Sequence, residues 1–454
     1  MKQRIIPLLL ALALALSICG ASALAEEQST AEEQTTDTEG ASAETDGNKD
    51  AAPETPGDDA GAADAAPSPA GPDPEEADTA YVPDAVGTIS FSNLERRMRE
   101  NNLNLLALEE NIASIEVIDY DKMYESLRES LNGIALAQRY LLMDPTGLGS
   151  ESYTYNQLDQ TYDSLRDTFE SLKDGELQED NAGVIRQLKN VQDQVVMAGE
   201  SLYTALVQLE AQEASLQRQL TSLNRTVEEM GLRYQLGQIS ALQLEQTKAG
   251  RTSLVSGLET VQMNIQSLKT QLEMLIGAEM TGDITLGSVP EVTAEQLEKM
   301  DLETDLAAAK ERSYELYAAE QTLKDAKEDY IDGLSQYGYS STRYERQIVE
   351  HTWQAAQYTY DGTVQSYELS FRTLYAQVGD YQQVLNAARV SLTCQKDSYA
   401  ATQLKYQQGT ISKNTLLSAE DDLRAAEDTV QNAAIDLFSA YNTYCWAVQH
   451  GILN

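Results

Sequence analysis

Two short segments of the chain, one in each half, have similar sequences. Each has the residues expected where one helix ends and the next begins. The first reads RYQLGQIS over Arg233–Ser240, and the second reads KYQQGTIS over Lys405–Ser412. In each, a long amphipathic stretch meets a glycine, and a serine follows shortly after it. Glycine is the least costly residue in the left-handed conformation that ends a helix, and serine is a good N-cap. The sequence therefore predicts two long helical hairpins with the same tip, one in each half.

The stretches that flank the two tips have core-type residues, most of them apolar, at alternating spacings of four and three. This 3.5-residue period is longest before the second tip, and it predicts a left-handed supercoil between packed helices. The series consists of Trp353, Gln357, Tyr360, Val364, Tyr367, Phe371, Leu374, Val378, Tyr381, Leu385, Ala388, Leu392, Gln395, Tyr399, Thr402 and Tyr406. The same rhythm occurs over 184–227, 254–275 and 430–448, so we predict four long arms.

The arm before the second tip also has a second stripe of mostly small residues on another face. Its members are Ala387, Val390, Cys394, Ala401 and Leu404. A helix with two apolar edges contacts two neighbours, as in a sheet or tube of helices, although a thicker four-helix bundle would also bury this stripe. We predict an all-α fold of two tandem repeats, each with a long antiparallel coiled-coil hairpin, and favour the tube.

The two repeats are predicted over residues 89–277 and 292–454, with a linker over 278–291. Shorter helices precede each hairpin, over 89–112 and 292–326. In the first of them, the segment Ser92–Glu95 has the sequence of a capping box.

The shorter helices also match one another. The segment ENNLNLLALEE over 100–110 pairs with ERSYELYAAEQ over 311–321. These two segments are further apart in the chain than the two tips are, so the first repeat holds additional residues. We place them between Ile118 and Gly183, with turns at Asp144–Gly147 and Lys173–Gly175 and a helix between.

The N-terminal segment 1–25 has the pattern of a secretory signal peptide, with a basic start, an apolar core over Leu8–Leu16 and small residues over Ala23–Ala25. The apolar run is too short for a permanent membrane anchor. Lipidation of Cys19 is a minor alternative. We predict that the protein is exported to the cell envelope.

Residues 26–88 are rich in Ala, Pro, Asp and Glu, with Lys49 as the one basic residue among many acidic ones. Such a segment buries too little apolar surface to offset its ordering entropy, so we predict a disordered acidic tether, with a binding tail as the alternative. The formal charge of the whole chain is −41, which argues against nucleic acid and anionic lipid headgroups as partners.

Two cysteines remain after the signal peptide, Cys394 and Cys445. On the two arms of the second hairpin, their positions along the hairpin axis would differ by roughly 27 Å at ~1.5 Å per residue. This is too far for a disulfide. We predict two buried thiols.

No catalytic constellation is present in the sequence. His351 and His450 lie far apart and have no neighbours at metal-ligand spacing. The acidic pairs Glu228–Glu229 and Asp421–Asp422 are interpreted as solvated helix surface. We predict no enzymatic activity, no cofactor and no metal.

The duplicated tips and coiled-coil arms resemble the TolC-type outer-membrane efflux family. In that family each of two repeats holds a long hairpin that turns at a basic or polar residue, an aromatic, two variable residues and a glycine. Arg233-Tyr234 with Gly237, and Lys405-Tyr406 with Gly409, match this turn motif. The resemblance covers roughly residues 89–454.

The resemblance implies a homotrimer in which twelve helices form a hollow cylinder. It also implies that the hairpin tips dock on a periplasmic adaptor protein that works with an inner-membrane transporter. The implied docking residues are Tyr234, Gly237, Gln238, Ile239, Ser240, Tyr406, Gly409, Thr410, Ile411 and Ser412.

Two features depart from the family pattern. The family has a pair of membrane-spanning strands in each repeat, but Tyr330–Tyr344 is too short and polar for two such strands, so the barrel strands are expected to be truncated or absent. The family often has aspartates after the second tip, where this chain has Thr415 and Ser418, so a carboxylate gate is not expected.

The sequence thus favours an exported, TolC-like duct component of an efflux or secretion assembly, with a passive mechanism. The resemblance implies the outer membrane, whereas the missing strands favour a soluble extracytoplasmic or surface-tethered protein. The alternative function is a cell-surface coiled-coil spacer or adhesion scaffold without a transport role.

Overall fold

Eleven helices and two short strands make up the part of the chain that the computed structural model describes, residues 83–143, 153–338 and 343–453. In chain order the elements are β1 (Thr88–Ile89), α1 (Phe91–Asn101), α2 (Leu103–Glu116), α3 (Tyr120–Leu142), α4 (Tyr153–Asp174), α5 (Glu176–Gln235), α6 (Ala241–Leu275), β2 (Thr285–Leu286), α7 (Ala294–Glu298), α8 (Leu302–Arg312), α9 (Tyr314–Tyr337), α10 (Tyr344–Gln407) and α11 (Lys413–His450). The predicted signal peptide, nearly all of the tether and the turn at Asp144–Gly147 lie outside the described residues.

The two longest helices, α5 and α10, each end at a predicted tip, and the chain returns along them as α6 and α11. With 60 and 64 residues, α5 and α10 each span roughly 90 Å or more at ~1.5 Å per residue. The buried residues of α10 follow the predicted spacing: Tyr367, Phe371, Leu374, Val378, Leu385 and Ala388. The predicted all-α fold with two tandem coiled-coil hairpins is confirmed.

The two hairpins lie side by side because α5 packs against α11. Arg225 forms an ion pair with Asp421, and it stands as far before Gly237 in the chain as Asp421 stands after Gly409. Arg218 pairs with Asp428, and these two residues are also equally distant from the glycines of their own tips. The two helices are therefore antiparallel, with both tips level at one end.

The four arms form a row in the order α6, α5, α11, α10. Within the described residues, the outer helices α6 and α10 make no extended contact with each other. This row is the sheet-like arrangement that the second stripe on α10 favours, and it differs from a closed four-helix bundle.

Both repeats are closed in the same way at the end away from the tips. Asn102 and Ser313, which occupy matching positions in the two repeats, are buried N-caps of α2 and α9. Gly277 and Gly451, just after the last helix of each repeat, have φ values of 67° and 70°. A Cβ at Gly277 would lie 2.7 Å from the carbonyl oxygen of Asn101, and one at Gly451 would overlap the Ser313 nitrogen. Glycine therefore permits the same close approach in both repeats.

The additional residues of the first repeat form a third, shorter hairpin of α3 and α4. The rings of Tyr124 and Phe169 stack between its arms with their centroids 4.8 Å apart. The predicted helix between the two turns is thus present as α4. In the second repeat, Tyr330–Tyr344 forms the end of α9 and the start of α10, apart from residues 339–342, which are not described. Among the described helices, none is both long and apolar enough to cross a membrane.

Two local predictions are wrong. The capping box at Ser92 does not form, because Ser90 is the N-cap of α1 and its N–H donates to the carboxylate of Asp84. Cys394 is exposed rather than buried, because it lies on the second stripe of α10 and not on the seam. The other thiol, Cys445, is partly buried, and burial raises its pKa.

Candidate docking site at the hairpin tips

The first half of each tip is a helix end built on a left-handed glycine. At the first tip Gly237 has φ 69°, its N–H donates to the Tyr234 carbonyl at 2.9 Å, and the Gln238 N–H donates to the Arg233 carbonyl at 2.8 Å. This pair of bonds is a Schellman motif, which satisfies the last carbonyls of the helix.

The second tip has the same motif. Gly409 has φ 70°, its N–H donates to the Tyr406 carbonyl at 2.9 Å, and the Thr410 N–H donates to the Lys405 carbonyl at 3.0 Å. The two copies of the turn sequence therefore fold into one geometry.

The second half of each tip is an N-cap. The Ser240 hydroxyl accepts from the Gln243 N–H at 3.3 Å within a full capping box, and the Ser412 hydroxyl accepts from the Thr415 N–H at 3.2 Å. Ile239 and Ile411 are partly buried, whereas the other predicted tip residues are exposed. The isoleucines are thus the apolar side chains that the turns partly cover, and the rest of each tip faces solvent.

The structure brings all ten predicted tip residues to the same end of the molecule, five on each hairpin. The carboxylate of Glu229, just before the first tip, accepts from the Asn414 side chain, just after the second tip, at 2.9 Å. Glu229 also forms an ion pair with Arg233 on its own helix. These contacts join the two tips directly.

Three leucines beside the first tip were not anticipated as part of this surface. Leu232, Leu236 and Leu242 are 62%, 72% and 68% exposed. Together with Tyr234, which is also exposed, they place large apolar side chains on both sides of the turn. Their exposure could have been predicted from the sequence, because these leucines flank the glycine but do not fall on the coiled-coil seam.

The acidic residues near the tips have a structural role that the sequence interpretation missed. Glu228 and Asp422 are exposed, as that interpretation expects, whereas Asp421 pairs with Arg225 and Glu229 accepts from Asn414, so these two also join the hairpins. The signal was available, because Arg218 and Arg225 are one heptad apart and so are Asp421 and Asp428. Matching heptad spacings of opposite charge are typical of a polar seam between helices.

The same seam continues to the far end of the hairpins, where it becomes buried. Glu200 on α5 is 6% exposed, and one of its oxygens accepts from the Asn442 amide at 2.7 Å and from the Trp446 indole at 2.6 Å. Burial raises the pKa of Glu200, and these two hydrogen bonds only partly oppose the effect. The carboxyl is thus held in a site that disfavours its charge.

Further along α5, Asp193 lies between His450 of α11 and Arg99 of α1, at 2.9 Å and 2.8 Å. Burial alone would raise the pKa of Asp193, but the hydrogen bonds from His450 and Arg99 outweigh it and hold the pKa below its ordinary value. This cluster joins the two repeats at the end opposite the tips.

We expect Glu200→Gln to preserve or raise the free energy of unfolding at pH 7, because the amide oxygen can accept both hydrogen bonds without a buried charge. Glu200→Ala should lower it by about 2–3 kcal/mol, because the Trp446 indole loses its acceptor. The advantage of Gln over Glu should grow as pH rises above 4.5, because the unfolded chain releases this proton there while folded Glu200, whose pKa is raised by burial, releases it only at a higher pH. Urea unfolding between pH 4 and 8 measures both effects, and a Gln–Glu difference that is constant with pH would contradict the assignment.

No family model matches the sequence, and no curated protein sequence matches it. Among solved structures, the chain is similar to the outer membrane protein VceC from Vibrio cholerae, with 15% identity and a TM-score of 0.45 over 79% of this chain and 96% of that one. It is similar to the outer-membrane channel OprN, with 13% identity and a TM-score of 0.49 over 80% and 90% of the two chains. CusC aligns with 14% identity and a TM-score of 0.45, over 80% and 96%. At these values the function of the chain has to be inferred from its own residues.

Proposed function

We propose that this chain is the duct component of an efflux or secretion assembly in the cell envelope. Three copies form a helical tube, an adaptor protein docks on the tips, and an inner-membrane transporter supplies the energy. The observation that supports this most is the presence of two tips of one geometry, level with each other at one end. A passive tube needs such an end surface wherever it meets a partner.

The edges of the four-helix row support assembly of several copies. Inside the chain, Arg218 of α5 faces Asp428 of α11. Counted from the tip glycines, the position of Arg218 corresponds to Val390 on α10, and that of Asp428 corresponds to Ser256 on α6. Both Val390 and Ser256 are exposed in the single chain. Suppose that α10 of one copy packs on α6 of the next in the way that α5 packs on α11. Val390 of one copy would then face Ser256 of the next, as Arg218 faces Asp428 within the chain.

Such a contact is heterologous, because the two edges are different surfaces, and a heterologous contact generates a ring when its rotation closes. The internal contact between repeats and the contact between copies would then be equivalent steps around the tube. The resemblance to TolC-type proteins implies closure at three copies, which gives twelve helices.

The chemistry of the tips fits the end of another helical hairpin. Exposed backbone at Gly237 and Gly409 permits close approach, since a Cβ at either position would have no atom within 4 Å. The leucines around the first tip supply apolar area for the grooves of a partner helix. A helical hairpin of an adaptor protein is the partner that this surface fits best.

Light scattering coupled to gel filtration of the exported chain, without detergent, tests the assembly. We expect the mass of three chains. A monomer over the micromolar range would leave both edges without partners and would count against the tube.

The alternative function, a cell-surface coiled-coil spacer or adhesion scaffold, is favoured by the length of α5 and α10. Genes for an adaptor and a transporter beside the gene of this chain favour the duct. An adhesin-linked or isolated gene favours the spacer.

A further inference from the structure

The end of the hairpins opposite the tips contains a cleft of about 450 Å³ between α5, the junction of α8 and α9, and the end of α11. The chain has 73 acidic against 32 basic residues, yet this cleft is lined mainly by groups that can donate hydrogen bonds. They are Arg186, Lys189, Asn190, Arg312, Gln449 and His450.

Arg186 is held in place without a carboxylate. Its Nη2 donates to the carbonyl oxygen of Glu311 at 3.1 Å and lies 3.4 Å from that of Ser313. Its guanidinium carbon lies 4.2 Å from the centre of the Tyr317 ring. A stacked and anchored guanidinium loses little conformational freedom when it binds a ligand.

Arg312 is held in a similar way at the junction of α8 and α9. Its Nη1 donates to the carbonyl oxygen of Val448 at 2.7 Å, near the end of α11. Within the described part of the chain, neither Arg312 nor Arg186 lies within 4 Å of a carboxylate oxygen. Each guanidinium therefore keeps several N–H groups and a full charge for another acceptor.

The carboxylates near the cleft do not neutralise these arginines. Asp193 already accepts from His450 and Arg99, and Glu311 is exposed at the rim. Lys189 lies 3.8 Å from a carboxylate oxygen of Glu116, and both side chains are more than half exposed, so water screens that pair strongly.

The positions of the two arginines also have a structural explanation, but it does not account for all of their N–H groups. The guanidinium of Arg186 on α5 lies against the C-terminal end of α8, and that of Arg312 on α8 lies near the C-terminal end of α11. Cations at such places offset the partial negative charge of the helix ends. That role accounts for the hydrogen bonds to carbonyl groups. It does not occupy the remaining N–H groups of either guanidinium.

We propose that this cleft binds a phosphate group. Two anchored arginines, together with Lys189 and the amides of Asn190 and Gln449, provide the forked donors and the charge that a tetrahedral oxyanion requires. Because all these residues belong to one chain, the site does not depend on the duct or on assembly.

Calorimetric titration of the full exported chain with inorganic phosphate tests the site, against sodium chloride of the same ionic strength. We expect saturable binding by the wild-type chain and at least tenfold weaker binding by Arg312→Gln, which removes an exposed side chain. Arg186→Gln should have the same effect, and Arg186→Lys, which keeps the charge but loses the fork, an intermediate one. The matched control is Arg166→Gln on α4, whose partner is the exposed Glu170, and it should bind as the wild type does.

The titration also separates the two sources of a phosphate group. If glycerol 3-phosphate binds more tightly than inorganic phosphate, the site is supported and its ligand is a phosphate ester. If inorganic phosphate binds more tightly, the site is supported and its ligand is free phosphate. Equal affinity in wild type and Arg312→Gln, or no saturable binding of either probe, would overturn the proposal. Because an unfolded Arg186 variant would bind nothing, the unfolding temperature of every variant is measured without phosphate first.

Discussion

Mild oxidation should convert most of a Ser253→Cys variant into covalently closed rings of three chains. Cys394 stands almost as far before Gly409 in the chain as Ser253 stands after Gly237. The ion pairs between α5 and α11 lie at equal distances from their tips, so the same register between copies places these two positions beside each other. Both are exposed in the single chain, which leaves them free to meet across the edges. A non-reducing gel would show the three-chain band and its two-chain precursor.

The matched control is Arg251→Cys at nearly the same level of α6. The Arg251 side chain donates to Asn224 of its own α5, so a cysteine there faces away from the neighbouring copy. We expect no cross-link from Arg251→Cys, and none from Ser253→Cys when Cys394 is replaced by serine. Cys445→Ser serves as the background for all variants, because it removes the other thiol. Two-chain bands that never close into rings would show that the edges meet in a different symmetry.

Local patterns predict the hairpins well, because the turn and the seam depend on residues near each other in sequence. The glycine and serine of each tip set the helix end and the next helix start within one short segment. The seam of α10 follows a period that any long helix must satisfy to stay packed.

The contacts between repeats are harder to predict because they join distant parts of the chain. The pair Arg225–Asp421 spans 196 positions, and it becomes visible only when the two tips are placed level. The phosphate cleft is an extreme case, since Arg186, Arg312 and His450 come from three helices. No local motif connects them. Cys394 was misjudged for a related reason, because its stripe lies at the edge where a second copy is proposed to pack.

The largest loss of function is expected from Gly237→Val combined with Gly409→Val. Valine resists the left-handed conformation that both glycines adopt, at a cost of roughly 1–3 kcal/mol per site. A Cβ would meet no atom within 4 Å at either position, so the strain should be relieved by local changes at the tips and not by loss of the hairpins. We therefore expect helical content and Ser253→Cys ring formation to persist while export falls at least tenfold. Export is measured as the efflux of a fluorescent dye. The dye is chosen because cells no longer export it when the gene is deleted.

Two matched variants separate the backbone effect from mere substitution. Asparagine tolerates the left-handed region, so Gly237→Asn with Gly409→Asn should retain most of the export. Gly379→Ala adds a methyl group to α10 where no atom lies within 4 Å and φ is helical, so it should leave export unchanged. If the valine pair exports normally while its rings still form, the tips are not the docking surface. If the asparagine pair fails as completely as the valine pair, the tip requires the bare glycine backbone, and the partner must approach within contact distance of it.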